Sequence, residues 1–165
     1  MTQFTFSNDP VDLLAYEEGY RDHVYLCPTG YPTVGFGRRV TVCDYETGEP
    51  IEFPIKRSEE ARRLKLKADS LHDWLAASYP WYLRLSPQRQ AVLISLAYQV
   101  GKEGFRKFKD MIIALSRGDF LSAGNEYLDS VAARTQTSKR FARGARILID
   151  NITVNDAVSR SQGGK

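Results

Sequence analysis

Glu18-Gly19-Tyr20-Arg21, then Cys27-Pro28-Thr29-Gly30-Tyr31-Pro32-Thr33-Val34-Gly35-Phe36-Gly37, is the stretch on which the fold turns. Its first part closes a helix, and its second reads as strand and turn. Upstream, Asn8-Asp9-Pro10 offers a capping side chain and a proline at the first helical position, so a helix is expected from there to about Glu18. Val11, Leu14 and Ala15 recur at helical spacing. Glu18 continues that stripe, between Val11 and Leu14 on the helical wheel, whereas Glu17 falls to one side. Gly19 is the expected stop. A carboxyl on the apolar face, in the last turn where the helix dipole is negative, is disfavoured in its charged form. An acid that keeps its proton near neutral pH is what general acid catalysis requires.

Beyond Asp22 the texture changes. Val24, Tyr25, Thr33, Val34, Phe36, Val40, Thr41 and Val42, separated by glycine and proline, read as short antiparallel strands, with a loop over Asp44 to Pro50. Ser58-Glu59-Glu60 starts a long helix whose stripe is Ala61, Leu64, Ala68, Leu71 and Leu75, and Pro80 ends it. Ser86-Pro87 starts a helix, apolar nearly all round, that is expected at the centre of the core and to stop at Gly101. Phe105, Phe108, Ile112 and Leu115 form a further stripe, stopped by Gly118. Asp119 caps a helix carrying Phe120, Ala123 and Tyr127. A last helix, roughly Thr137 to Asn151, buries Phe141, Ala145 and Leu148, and the tail from Ser159 to Lys165 is expected to fray. The fold class is α+β: a small antiparallel sheet lobe over about 20–57, and a mainly helical lobe over about 58–155 plus the N-terminal helix. The long helix joins them in one domain covering 1–165.

The 165 residues, 42% hydrophobic and 26% charged, suit a globular protein, and the net charge of +3 favours an acidic partner. Two cysteines, Cys27 and Cys43, are too few for a disulfide framework, and no Cys/His cluster suggests zinc. The start lacks the basic and apolar regions of a signal peptide, and no apolar run approaches membrane-spanning length.

Glu18, Cys27 and Thr33 place an acid at a helix end and two small polar groups on the strands that follow, where all three can line one cleft. Taken alone, Cys27 reads rather as a small hydrophobe packed under the hairpin, and Thr33 as a strand former. Tyr20, Tyr25 and Tyr31 suit either stacking on a ligand or the core. His23 lies four residues before Cys27, about 13 Å along a strand, too far for a nucleophilic pair unless the chain turns. His72 is assigned to the surface. Arg134, Lys139, Arg140, Arg143 and Arg146 lie in a stretch free of acids. Lys139, Arg143 and Arg146 fall opposite the apolar stripe, as on a solvated face, and Arg140 at its flank, where it can reach a cleft.

The two quoted segments resemble the signature of phage-type lysozymes and endolysins, glycoside hydrolase family 24, the T-even phage lysozyme type. Gln90 to Gly101 is similar to that family's central helix, and Gln136-Thr137-Ser138-Lys139-Arg140 to the start of a late helix. The resemblance implies a lysozyme-like fold and a muramidase, an endolysin that hydrolyses the β-1,4 bond between N-acetylmuramic acid and N-acetylglucosamine. It puts Glu18 at the general-acid position, Cys27 where the family has aspartate or cysteine, and Thr33 at its threonine; Gln99, Arg140 and Tyr31 are candidate substrate contacts. Arg38 stands where members commonly have histidine, a change that leaves catalysis alone but removes a structural ion-pair partner. An ordinary thiol is mostly neutral at pH 7, and with nothing in the sequence to lower it, Cys27 is expected to position water rather than to act as base. No metal or cofactor is implied. The expected partner is peptidoglycan, with no nucleic acid and no stable membrane insertion, and the protein is expected to be a monomer. It is expected in the host cytoplasm, reaching the wall with the help of a holin. The rivals are a lytic transglycosylase, a Cys/His amidase or peptidase and, from another class, a nucleic-acid-binding module.

Overall fold

The computed structural model describes residues 10–40, 48, 51, 53–135 and 138–162. Its helices are α1 (Pro10–Glu18), α2 (Arg57–Ser78), α3 (Pro87–Arg106), α4 (Lys109–Ser116), α5 (Phe120–Asp129), α6 (Val131–Thr135), α7 (Ser138–Asp150) and α8 (Val154–Gln162). The strands are β1 (Arg21–Leu26), β2 (Pro32–Gly35) and β3 (Arg38–Arg39), in one antiparallel sheet of order β1-β2-β3. This is the α+β class, a small sheet among helices, that the sequence predicts. Residues 1–14 with 68–165 form one compact unit and residues 15–67 another. No helix among the described residues is long and apolar enough to cross a membrane.

In the 15–67 unit, Gly19 ends α1 at φ 65°, its amide donating to the Ala15 carbonyl at 3.1 Å. The burial of α1 departs from the predicted stripe: Leu13 and Leu14 are buried, while Val11, Ala15, Glu17 and Glu18 are half-buried. β1 and β2 pair Tyr25 with Thr33, and β2 and β3 pair Thr33 with Arg39. Thr33 therefore sits on the central strand and is buried. Phe36 lies in the β2–β3 turn rather than in a strand. Thr41, Val42, Cys43 and most of the predicted loop lie outside the described residues. Val34, Val40 and Ile55 make the core of this unit, with Tyr20 and Ile51 packed against them. The Tyr20 hydroxyl donates to the Ile55 carbonyl at 3.0 Å, so Tyr20 serves that core rather than a sugar.

The apolar stripe of α2 holds except at its first position. Leu64, Ala68, Leu71 and Leu75 are buried, but Ala61 is exposed, and Glu60, at 5% exposure, takes its place. Glu60 lies one turn before Leu64, on the same line.

In the other unit, α3 contributes a wall of buried residues from Ala91 to Ala97. Gly101 interrupts it at φ 73°, ψ 169°, and one more helical turn follows to Arg106. The predicted stop is thus a break that only glycine enters at low cost. Gly118 ends α4, and the Asp119 carboxylate caps α5 by accepting from the Ser122 amide at 3.0 Å. α5 packs on α4 and α7. A Cβ on Gly144 would lie 2.8 Å from the Tyr127 ring, and one on Gly124 2.3 Å from Ile149. α6 and α8 are absent from the sequence reading. α8 covers Ser159, where the sequence predicts a frayed tail, and buries Val154, Ala157 and Val158. His72, assigned to the surface, is half-buried, its Nδ1 3.0 Å from the Tyr82 hydroxyl.

Candidate active site

The half-buried Glu18 ends α1, and its carboxyl rests on the β2–β3 turn. A Cβ on Gly37 would lie 3.0 Å from Glu18 Oε2. Gly37 is at φ 80°, so both its conformation and the carboxylate beside it call for glycine. Gly35, two residues earlier, does the same for another acid: a Cβ there would lie 2.3 Å from Glu60 Oε2. Glu60 is held from the far side by Arg38, whose Nε and Nη2 donate to Oε2 and Oε1 at 3.2 and 2.6 Å. This corrects the expectation that Arg38 removes a structural ion pair. Its planar fork binds the carboxylate at two points and ties β3 to α2. The two glycines of Gly35-Phe36-Gly37 thus seat two carboxylates, only one of which the sequence reading recognised.

Cys27 opens the β1–β2 loop. Its amide donates to the Tyr31 carbonyl at 3.0 Å, and its carbonyl accepts from the Gly30 amide at 2.8 Å. The free, half-buried sulfur lies 3.0 Å from Thr29 Oγ1. The Thr29 hydroxyl beside Cys27 holds its thiol down at about 7, helped by the Tyr31 and Thr29 amides and the Thr33 hydroxyl, against an opposing push from desolvation. This corrects the reading that nothing nearby lowers the thiol. The influence of Thr33 is the smallest of these, and its Oγ1 donates to the Tyr31 carbonyl at 2.9 Å. Tyr25, across the ladder from Thr33, senses both Glu18 and Cys27. Burial pushes its phenol up against the opposing pull of the Arg21 guanidinium, and Glu18 and Cys27 add smaller pushes upward. Tyr31 is 50% exposed, with the Arg39 guanidinium 4.1 Å from its ring centroid, which occupies one face of the ring.

His23 is exposed and its Nδ1 lies 2.9 Å from Asp22, while the sulfur of Cys27 is engaged by Thr29, so the two do not form a nucleophilic pair. In the other unit, Gln99 is half-buried on α3, two residues before the break. Arg140 is buried on α7 and its Nη2 donates to the Ser95 hydroxyl and carbonyl at 3.0 and 3.3 Å. Arg143 is also buried and Arg146 half-buried, so the predicted solvated face holds only at Lys139. Among the described residues no group of His, Cys, Asp and Glu would hold a metal ion. Two contributors were missed. Thr29 gave no signal, since its role depends on a turn. Glu60 did give one, since it continues the line of Leu64 and Leu71.

Two comparisons bear on this geometry. The pre-baseplate central spike protein Gp5 of Enterobacteria phage T4 is 28% identical over 157 residues, covering 84% of this chain and 27% of that protein. The chain therefore spans about a quarter of the length of that relative. The family model described as Phage lysozyme matches residues 15–143, a span that contains Glu18, Cys27, Thr33, Gln99 and Arg140. The match covers most of the 165 residues, and the chain belongs to the phage lysozyme family.

Proposed function

We propose that this protein is a muramidase that hydrolyses the β-1,4 bond between N-acetylmuramic acid and N-acetylglucosamine in peptidoglycan. The observation that carries this reading is the seating of the Glu18 carboxyl on Gly37, on the same small sheet whose β1–β2 loop holds the hydrogen-bonded sulfur of Cys27. Glu18 gives its proton to the glycosidic oxygen as the bond from that oxygen to the anomeric carbon breaks. A water oxygen bonds to the anomeric carbon, and the proton it sheds passes to the Cys27 sulfur. Thr33, its own proton given to Tyr31, offers lone pairs that orient the water. One water is consumed, and the proton returns from Cys27 to Glu18 through solvent. A single displacement of this kind inverts the anomeric configuration. The thiol's value of about 7 favours this base role over mere positioning of water. The outer face of Tyr31 is the proposed substrate contact of this unit.

Mass spectrometry of digested peptidoglycan tests the reaction. Reducing muramic ends with one added water are expected. Anhydro ends point instead to a transglycosylase, and free amino groups to an amidase or peptidase. Glu18→Gln should lower wall hydrolysis by at least about a hundredfold, the scale of a lost general acid, and Glu17→Gln by only a few-fold. The reverse ranking would remove Glu18 from its role.

As an endolysin the protein would act from the host cytoplasm, with a holin giving access to the wall. The spike-protein relative favours a second setting, the same hydrolase carried in a phage tail. Proteomics of purified virions separates the two: the endolysin is absent from particles and the tail component present in fixed copy number.

A further inference from the structure

The backbone of the β1–β2 loop is closed by two hydrogen bonds, Gly30 amide to Cys27 carbonyl and Cys27 amide to Tyr31 carbonyl. That closure brings the Thr29 side chain back over the sulfur, at 3.0 Å. A thiolate only accepts, so whenever the sulfur is charged the Thr29 hydroxyl is the donor. Thr33 is no substitute, because its proton goes to the Tyr31 carbonyl. We infer that Thr29 is a positioning residue of the site, whose hydroxyl holds the Cys27 sulfur in the charged, proton-accepting form that the hydrolysis proposed above requires. The inference rests on that reading for its catalytic consequence, and on the loop geometry for the hold on the thiol. The lowered titration of Cys27, with Thr29 as its largest cause, agrees with it.

The other titratable groups of the hairpin do not explain the effect. Tyr25 on β1 and Glu18 at the end of α1 bring no positive charge that would favour a thiolate. Asp22 and His23 on β1 are bound to each other, and the Arg39 guanidinium on β3 lies over Tyr31. Arg21 lies over the ring of Tyr25, and Arg38 is paired with Glu60.

The test is the pH dependence of iodoacetamide alkylation of Cys27 in the full chain carrying Cys43→Ser, so that one thiol reports, beside the pH profile of wall hydrolysis. The parent should titrate near pH 7. Thr29→Val should move that midpoint towards an ordinary thiol and slow alkylation at pH 7 by roughly threefold to tenfold. Thr29→Ser should restore it. The acid limb of the hydrolysis profile should move to higher pH by the same interval in Thr29→Val. Circular dichroism checks the fold, and Thr29→Ala serves in place of a Thr29→Val protein that does not fold. An unchanged thiol midpoint overturns the inference, whatever hydrolysis does. A shifted midpoint with an unshifted hydrolysis profile also overturns it, because the thiolate is then not used. A parent that releases no muropeptides overturns the muramidase reading and the catalytic half of the inference with it, and the thiol midpoint alone then decides whether Thr29 holds Cys27.

Discussion

The finest control over the proposed acid is exerted by a residue without a side chain. Gly37, at φ 80°, lets the β2–β3 turn close and leaves room for the Glu18 carboxyl. Alanine there meets two penalties. The left-handed backbone costs about 1–2 kcal/mol for a residue with a Cβ. The Cβ itself, 3.0 Å from Oε2, displaces the carboxyl by some tenths of an ångström. Gly37→Ala should therefore lose stability modestly but wall hydrolysis by roughly tenfold or more, since small misplacements of a reacting group are costly. Gly118 is the control, at φ 73° with nothing within 4 Å of a built Cβ. Gly118→Ala should show the stability loss, read by thermal melting, without the loss of activity. Equal activities for the two variants would mean that the contact with Glu18 has no catalytic consequence.

Between elements, the tie from β3 to α2 depends on one ion pair. Glu60 is 5% exposed and the Arg38 side chain 14%, so the charges are largely removed from water and hold each other through two hydrogen bonds. Removing one partner of such a pair costs about 3–5 kcal/mol when nothing compensates. Arg63 Nε lies 3.9 Å from Glu60 Oε1 and supplies part of the missing charge when Arg38 is lost. Arg38→Ala should thus cost about 2–3 kcal/mol in urea unfolding, below the uncompensated range, and a further Arg63→Ala should restore the full cost. Additive, near-zero effects would show that the pair is only decorative. The same close fit recurs between α5 and α7, where Gly124 and Gly144 admit Ile149 and Tyr127.

Over the whole chain the net charge of +3 is unevenly divided. Residues 15–67 carry nine Lys and Arg against nine Asp and Glu, whereas residues 1–14 with 68–165 carry fourteen against eleven. An attraction to the proposed anionic wall polymer would therefore originate in the helical unit. It is a long-range attraction, and the screening length shortens from about 14 Å at 0.05 M salt to about 6 Å at 0.3 M. Sedimentation with purified, insoluble peptidoglycan should show binding falling several-fold over that range. Binding that is unchanged by salt would assign affinity to short-range contacts alone.

Sequence by itself determined the elements whose causes are local. The Asp119 cap, the Gly19 and Gly118 stops and the apolar face of α7 follow from chemistry within a few residues of each position. The motif from Glu18 to Gly37 was legible for the same reason: its glycines and short strands encode a helix end and a hairpin. Tertiary structure alone decided what each buried charge touches. Arg143 faces inward, Arg140 meets Ser95 forty-five residues away, and Arg38 finds Glu60 twenty-two residues away. It also set the state of Cys27, which depends on a loop closed over five residues. A hydrophobic stripe is a property of spacing along the chain. An ion pair or a tuned thiol is a property of distances in space, and those exist only once the chain has folded.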